Sequence, residues 1–244
     1  MTSTRNGTGE SRLEKESRRR RFRDGAAAVG VEGGGLSWGK AAAVMRKNPF
    51  YRNARHVLVP PAVCFFQVRL NALMDRKRLT VPTPGMQSGF QHFDPHRTAP
   101  SDFVDLARLR KAGASLTKAH YGSPLDPPID LVVGEALCAG EDGGLVGDGR
   151  GHLDLTCAVL QALGWLDAQA AVLAVALQSP ILPFCPQEDH DVRAHGVITR
   201  DGFHRTGTDN PIVTRIYWEK LDARRIRRNE VLFFLASREG RALR

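Results

Sequence analysis

The stretch GDGRGHLDL, residues 147–155, combines residue types that can bind an anion. Gly147, Gly149 and Gly151 alternate along it, and the carboxylate of Asp154 follows three residues after the last glycine. Glycines let a main chain approach phosphate oxygens closely and adopt positive φ angles. The first N–H groups of a helix have no partner within the helix and favour negative charge. A glycine-rich turn that leads into a helix therefore indicates a phosphate site.

Two familiar phosphate-binding loops do not fit this spacing. A P-loop ends in Gly-Lys-Ser/Thr, and residues 147–155 contain no lysine. A dinucleotide-binding fingerprint needs a glycine three residues after its second one, and His152 stands there. An oxidoreductase with a Rossmann fold is therefore disfavoured. The remaining pattern, G-x-G-x-G-x-x-D, is equally compatible with a tight turn that needs glycine for its geometry alone.

Asp154 allows two interpretations. A carboxylate in the first turn of a helix is favoured by the helix dipole without any further role. It could also bind Mg²⁺ beside a phosphate, because this hard ion takes carboxylate oxygens and keeps its other positions for water and phosphate. The segment PQEDHDVRAHGVIT, residues 186–199, supplies Glu188, Asp189 and Asp191 ahead of a predicted strand. One of these carboxylates could be a second ligand, since that end of the segment could face the glycine loop across a crevice.

Other polar clusters indicate structure more than chemistry. The segment HFDPH, residues 92–96, is predicted to be an exposed loop and not a metal site, since Pro95 prevents its side chains from facing one another along a helix. Cys185 and His190 could bind a soft metal, but a single cysteine beside a proline usually packs. His195, just before a predicted strand, is interpreted as a structural or pocket-lining residue and not as a base.

The net charge of +9 lies at the two ends of the chain. Residues 1–24 hold eight Lys/Arg against four Asp/Glu, and residues 215–244 hold nine against four, so the 190 residues between them are neutral. A basic tail can bind polyanions such as RNA. The arm SRRRRFR, residues 17–23, lacks the interleaved aromatic residues that stack on bases, so it is interpreted mainly as a solvated arm.

Hydrophobic periodicity divides the rest of the chain into alternating strands and helices. Residues 1–35 are basic and glycine-rich and are predicted to be disordered, whereas 36–244 are predicted to form one domain. Trp38, Trp165 and Trp218 are predicted to lie in its core. The predicted elements are a helix over 38–48, a strand over 55–60, a helix over 62–78, a strand over 79–84, one short helix within 102–113, a strand over 129–137, a helix over 152–164, strands over 170–178 and 195–202, and helices over 217–240.

This alternation predicts an α/β fold with a mostly parallel sheet flanked by helices. The four cysteines are far apart and include no CxxC pair, which favours reduced thiols and a cytoplasmic protein. No apolar run approaches the length of a membrane span, and the start of the chain has no apolar core of a secretory signal. We expect a monomer without a membrane partner.

The order of these motifs resembles the 5-formyltetrahydrofolate cyclo-ligase (methenyltetrahydrofolate synthetase) family. That family has a loop of the form R-x-G-x-G-x-G-Y-Y-D and, later, an H-D before a strand that ends in V-x-T. The chain is most similar to the divergent branch of methenyltetrahydrofolate-synthetase-domain-containing proteins, to which RHVLVPP, RLNALMDRKRLTVPTPGMQSGF and IYWEKLDARRI are also similar. The resemblance runs from about Trp38 to the C-terminus and implies a three-layer sandwich of the NagB–RpiA–CoA-transferase kind.

The resemblance also implies a reaction and a set of binding residues. The reaction is the ATP-dependent closure of 5-formyltetrahydrofolate to 5,10-methenyltetrahydrofolate, which forms a C–N bond. The implied residues are those of an ATP-phosphate site, a Mg²⁺ site and a folate pocket: Gly147, Gly149, Arg150, Gly151, His152 and Lys40 for phosphate, Asp154 and Asp191 for Mg²⁺, and Met74 and Met86 for folate.

The chain departs from the family pattern at the loop. The motif arginine is Leu145, and the paired tyrosines are His152 and Leu153. Loss of a cation beside a transferring phosphoryl group can cost orders of magnitude in rate. Two hypotheses therefore stay open, an active cyclo-ligase and a non-catalytic descendant that binds a nucleotide, a folate or RNA.

Overall fold

The computed structural model describes residues 34–177 and 181–241. The basic arm at 17–23 and almost all of segment 1–35, for which disorder is predicted, lie outside these residues. In the described part of the chain, no helix is both long enough and apolar enough to cross a membrane.

Helices and strands alternate along the described chain. The α-helices are α1 (Gly34–Lys47), α2 (Pro49–Asn53), α3 (Phe66–Met74), α4 (Phe103–Ala107), α5 (His152–Leu163), α6 (Ala223–Arg228) and α7 (Glu230–Arg238). The strands are β1 (His56–Leu58), β2 (Arg78–Pro82), β3 (Phe90–Phe93), β4 (Ala114–Leu116), β5 (Ile129–Glu135), β6 (Cys138–Gly140), β7 (Leu145–Val146), β8 (Leu166–Val175), β9 (Ile181–Leu182), β10 (Gly196–Ile198) and β11 (Phe203–Arg205).

The main sheet has the order β11-β10-β8-β5-β1-β2-β3-β4. Its centre, from β10 to β2, is parallel, and the outer strands β11, β3 and β4 are antiparallel to their neighbours. The mostly parallel sheet predicted from the sequence is thus confirmed. Ligands of such sheets bind beyond the carboxyl ends of the parallel strands, which places the glycine loop after β5 at the expected edge.

Both faces of the sheet are covered by helices. Val132 packs into a core with α5 and α7, whereas its neighbours Leu131 and Val133 face the core with α1, α3 and α4. Successive residues of a strand point to opposite faces, so a strand buried on both sides reads as a continuous apolar run. The three-layer architecture follows from this double burial. Trp165 and Trp218 are buried and Trp38 packs against the second core, as predicted.

The boundary after α1 is set by local sequence. Asn48 accepts a hydrogen bond from the N–H of Phe50 through its side-chain oxygen at 2.9 Å, and Pro49 occupies the first helical position of α2. Asparagine caps and proline at this position both favour a new helix start. The predicted end before Pro49 is confirmed, although α1 begins at Gly34, earlier than the predicted Trp38.

Two predictions for residues 85–128 are wrong. This segment forms β3 and β4 in addition to the predicted short helix, because β3 pairs with β2 and β4 pairs with β3 at the edge of the sheet. His92 therefore lies in a strand opposite Thr80 and not in an exposed loop. Its Nδ1 is 3.3 Å from the Thr80 hydroxyl, and its ring meets His56 edge to face at 5.1 Å. His96 is exposed, as predicted.

Candidate active site

The glycine loop is presented by a small second sheet that the sequence did not predict. After β5 the chain forms a hairpin of β6 and β7, and β9 pairs with β6 on its other side. The hairpin turn is tightened by Asp142, whose carboxylate accepts from the N–H of Gly144 at 3.1 Å. Residues 147–151 then lead directly from β7 into α5.

The loop exposes its main chain. Gly149 and Gly151 have φ angles of 83° and 60°, a region that only glycine adopts readily. Gly151 is the N-cap of α5 and makes no side-chain capping bond. A Cβ atom added at Gly147 would meet nothing within 4 Å. The loop is therefore open, and a phosphate could approach its main-chain N–H groups.

Close packing fixes the first turn of α5 against β5. A Cβ atom at Gly134 would lie 2.8 Å from a terminal methyl of Leu153, so the missing side chain lets the helix approach the strand. Leu155 and Val159 continue the contact into the core, and Gly164 ends the helix with φ 70°. This packing of α5 on β5 sets the direction of the Asp154 side chain, which lies on the same helical turn.

The two acids predicted to bind Mg²⁺ lie on neighbouring segments. Asp154 Oδ1 accepts a hydrogen bond from the N–H of Val192 at 2.8 Å, directly after Asp191 in the chain. Burial raises the pKa of Asp154 above its ordinary value, the bond from Val192 opposes that rise, and the negative charge of Asp191 adds to it. The structure thus brings the two carboxylates into each other's electrostatic field.

Asp191 belongs to a compact polar turn. Its Oδ2 accepts from the N–H of Glu188 at 2.7 Å, and its Oδ1 is 3.5 Å from His190 Nε2. Lys220 reaches this turn from the C-terminal segment, with its ammonium 2.6 Å from Glu188 Oε2 and 2.9 Å from His190 Nδ1. Tyr217 donates its hydroxyl to the Asp189 carbonyl at 3.2 Å. The C-terminal segment therefore holds the acidic turn in place.

The same segment also reaches the glycine loop. Arg225, in α6, donates from Nη2 to the carbonyl oxygen of Arg150 at 3.3 Å. Sequence reasoning missed Tyr217, Lys220 and Arg225 as site residues, because no local spacing connects them to a loop about 70 residues earlier. Only the packing of α6 and α7 against α5 brings them there.

A further carboxylate lies at the carboxyl end of β5. Burial raises the pKa of Glu135, and the negative charge of Asp148 in the glycine loop raises it further. The sequence carried a signal for this residue, since Glu135 ends a buried parallel strand, where ligands of such sheets bind.

Burial lowers the pKa of His152 at the start of α5, so its imidazole is neutral near pH 7.

The loop cation Arg150 is already engaged locally. Asp148 accepts from the N–H of Arg150 at 2.9 Å and lies 3.6 Å from its guanidinium. The side chain of Arg150 is otherwise 76% exposed. It could therefore swing toward a phosphate, as the resemblance implies, at little cost in packing.

Three other predicted site residues are not gathered at the loop. Lys40 lies on the opposite face of the sheet from α5, and its ammonium donates to the carbonyl of Arg200 at 3.1 Å. Met74 ends α3 and is 56% exposed, whereas Met86 is buried near Thr156, 3.7 Å from its hydroxyl. The two methionines lie at opposite ends of β2, so the structure does not bring them into one pocket.

The described residues contain no cluster of three or more His, Cys, Asp or Glu side chains arranged to hold a metal. Cys185 packs 3.9 Å from Cys138, sulfur to sulfur, while His190 Nδ1 is 2.9 Å from the ammonium of Lys220. Mg²⁺ needs fewer protein ligands than such a cluster provides, and the Asp154–Asp191 pair suits it chemically.

His195 is a structural residue, as predicted. Its Nδ1 accepts from the N–H of Val172 at 3.0 Å, and its Nε2–H donates to the carbonyl of Asn210 at 3.0 Å. Burial lowers its pKa. Both ring nitrogens are committed to main-chain groups, which leaves none to act as a base.

Comparison with known proteins places this chain in a family. A model of the 5-formyltetrahydrofolate cyclo-ligase family matches residues 39–200. The methenyltetrahydrofolate synthase domain-containing protein of Bos taurus is 28% identical over 199 residues, which are 79% of this chain and 51% of that protein. Its counterpart in Homo sapiens is 27% identical over the same length. The chain thus spans about half the length of the curated relatives it matches.

A solved structure shares the fold. The NMR structure of the 5,10-methenyltetrahydrofolate synthetase of Aquifex aeolicus superposes with a TM-score of 0.52 and covers 83% of this chain and 98% of its own. The sequences are 12% identical, so this likeness concerns the fold alone.

Proposed function

Because the chain belongs to the 5-formyltetrahydrofolate cyclo-ligase family, we propose that it is an ATP- and Mg²⁺-dependent ligase that converts 5-formyltetrahydrofolate to 5,10-methenyltetrahydrofolate. One observation supports this most. The uncovered main chain of 147–151 lies at the carboxyl edge of the sheet, and Asp154 beside it is bonded to the segment of Asp191. An open phosphate loop next to paired carboxylates suits a metal-bound triphosphate.

Each part of the loop has a role in this proposal. The main-chain N–H groups of Gly147, Gly149 and Gly151 bind phosphate oxygens, together with Arg150 and the start of α5. The carboxylates of Asp154 and Asp191 would hold Mg²⁺, which supplies charge neutralisation to the phosphates. Neutral His152, at the first position of α5, is suited to hydrogen-bond a phosphate oxygen without carrying charge.

The reaction needs positioning more than a strong nucleophile. The formyl oxygen attacks the γ-phosphorus of ATP and ADP leaves. N10 of the folate then attacks the activated carbon, and phosphate and the N10 proton leave as the ring closes. The protein contributes by fixing the two substrates in line and by neutralising charge on the transferred group. The lack of a Ser/His/Asp or Cys/His catalytic arrangement in the sequence is consistent with such chemistry.

The test is a spectrophotometric assay with purified protein. Absorbance of 5,10-methenyltetrahydrofolate should rise only when 5-formyltetrahydrofolate, ATP and Mg²⁺ are all present, and chelation of the metal should abolish the rise. Asp154→Asn is the matched negative control, because it keeps the shape and the hydrogen-bond acceptor of the side chain. Folded wild-type protein that gives no product would contradict catalysis.

A second candidate function is nucleotide binding without catalysis. The packing of the residues on either side of the glycine loop favours it. Leu145, at the position of the motif arginine, packs against the main core, and Leu153 lies on Gly134. Apolar groups thus occupy two positions that the family fills with a cation and an aromatic ring. Since a ligand stabilises the folded state that binds it, a rise in melting temperature with ATP and Mg²⁺, but no product, would support this candidate.

A further inference from the structure

We propose that Arg225, from the C-terminal segment, supplies a second phosphate-binding cation to the glycine loop, in addition to Arg150 of the loop itself. This inference rests on the proposed function, in which the loop binds the phosphates of ATP. It assigns to a residue outside the loop the positive charge that Leu145, at the position of the motif arginine, does not provide.

Negative charge dominates the walls of the site. Glu135, Asp148 and Asp154 carry carboxylates around the loop and the start of α5. The loop's own cation, Arg150, lies beside Asp148 at 3.6 Å, and Leu145 adds no charge. A triphosphate that binds beside these carboxylates needs positive charge from the protein as well as from a metal ion.

Arg225 differs from the other arginines of α6 in its surroundings. Arg224, Arg227 and Arg228 are exposed, whereas Arg225 is half-buried against the loop. Its Nη2 contacts the Arg150 carbonyl at 3.3 Å, a long hydrogen bond that uses one of five guanidinium donors. In the described part of the chain, no carboxylate forms an ion pair with it. Its charge is thus available to a ligand.

The nearby cation Lys220 is committed elsewhere. Its ammonium lies 2.6 Å from Glu188 Oε2 and 2.9 Å from His190 Nδ1, so its charge is balanced within the acidic turn. It positions that turn instead of contacting the glycine loop. Arg225 is therefore the better placed of the two residues to bind phosphate at 147–151.

The direction of Arg225 is fixed by its helix. Asp222 caps α6, and its carboxylate accepts from the N–H of Arg225 at 2.7 Å. The next residue, Ile226, is buried in the main core. The main chain of Arg225 is thus anchored on both sides, and the planar fork of its guanidinium suits two phosphate oxygens at once.

The experiment compares binding of inorganic tripolyphosphate, and of ATP with Mg²⁺, by calorimetric titration of the full chain. Arg225→Ala should weaken both by about 10- to 100-fold, as expected for a lost charged hydrogen bond. Arg224→Ala, one residue earlier and exposed, is the matched control and should bind as wild type. Arg225→Lys should recover part of the affinity, and it replaces the alanine variant if that variant does not fold.

The outcomes separate this inference from the proposed function. Wild-type affinity in Arg225→Ala would overturn the role of Arg225 while leaving nucleotide binding intact. An equal loss in Arg224→Ala and Arg225→Ala would also overturn it, because the effect would then be one of general charge. Absence of binding by wild-type protein would overturn the proposed function, and the role of Arg225 with it.

Discussion

The carboxylate of Asp154 accepts a hydrogen bond from the main-chain N–H of Val192, with 2.8 Å between oxygen and nitrogen across 38 residues of sequence. The bond joins the first turn of α5 to the segment that carries Asp191. It also fixes one carboxylate oxygen of Asp154 and leaves the other to face Gly151, whose added Cβ would be 4.0 Å away from it. A helix start and a distant acidic turn are in this way held as one unit.

Replacing Asp154 should separate its structural from its proposed metal role. Asp154→Asn keeps an acceptor for Val192 and removes a charge that burial disfavours, so its free energy of unfolding should equal or exceed that of wild type. Asp154→Ala leaves the N–H of Val192 unpaired and should cost about 1–3 kcal/mol. Urea unfolding measures both. Mg²⁺-dependent ATP binding should fall in both variants, and its retention in Asp154→Asn would refute the metal role.

One glycine substitution should lower the stability of the fold, and another should lower only the affinity for phosphate. A Cβ at Gly143 would lie 2.5 Å from the Thr208 hydroxyl and 2.6 Å from the Ala194 carbonyl, at a φ of 82°. Gly143→Ala should therefore destabilise the fold by about 1–3 kcal/mol. Gly147→Ala meets no atom within 4 Å, so its unfolding curve should match wild type, while its tripolyphosphate affinity should fall. Unchanged affinity in Gly147→Ala would mean that phosphate does not approach this residue.

Stability should decrease in acid because of His56. Its Nδ1–H donates to the Pro127 carbonyl at 2.8 Å and its Nε2 accepts from the Thr80 hydroxyl at 2.8 Å, so the folded protein holds the neutral ring. Burial lowers its pKa from 6.5 to about 3. The imidazole of His56 therefore binds a proton more readily in the unfolded chain than in the folded protein. The contribution of neutral His56 to the free energy of unfolding is complete above about pH 6.5 and is lost as the pH falls toward about 3.

The measurement is the free energy of unfolding in urea between pH 7 and pH 4. His56 should contribute a slope of about 1.4 kcal/mol per pH unit in the steepest part of this range. His56→Asn should reduce that slope, whatever its effect on absolute stability. His96→Asn replaces an exposed histidine and serves as the control. If the free energy of unfolding changes equally with pH in wild type and in His56→Asn, His56 does not titrate as described.

The cysteines should be unreactive in the folded protein. Cys138, Cys157 and Cys185 are buried, and burial raises the pKa of the half-buried Cys64 to about 11. Since the thiolate is the reactive form, an aromatic disulfide reagent should modify only Cys64, and slowly, until denaturant exposes all four thiols. Cys64→Ser should abolish the native reaction. Rapid modification of a second thiol in native protein would show that the core around that cysteine opens.

Local patterns predicted much of the fold. The apolar run of 129–137 and the periodicity of 152–164 correctly indicated β5 and α5, and the glycines before α5 correctly indicated a turn that leads into this helix. The strands β3 and β4 were missed, because each has three or four residues and exists only through its pairing with a neighbour. The hairpin of β6 and β7 was missed for the same reason.

The sequence by itself determined the alternation of strands and helices, the bare main chain at 147–151 and the family resemblance, because main-chain freedom and periodic burial are properties of neighbouring residues. Only the tertiary structure decided which side chains meet at that loop. It brought Lys220 and Arg225 to the site from the C-terminal segment and kept Met74 apart from Met86. Contacts across 30 to 75 residues depend on how helices pack on the two faces of the sheet, which no local spacing encodes.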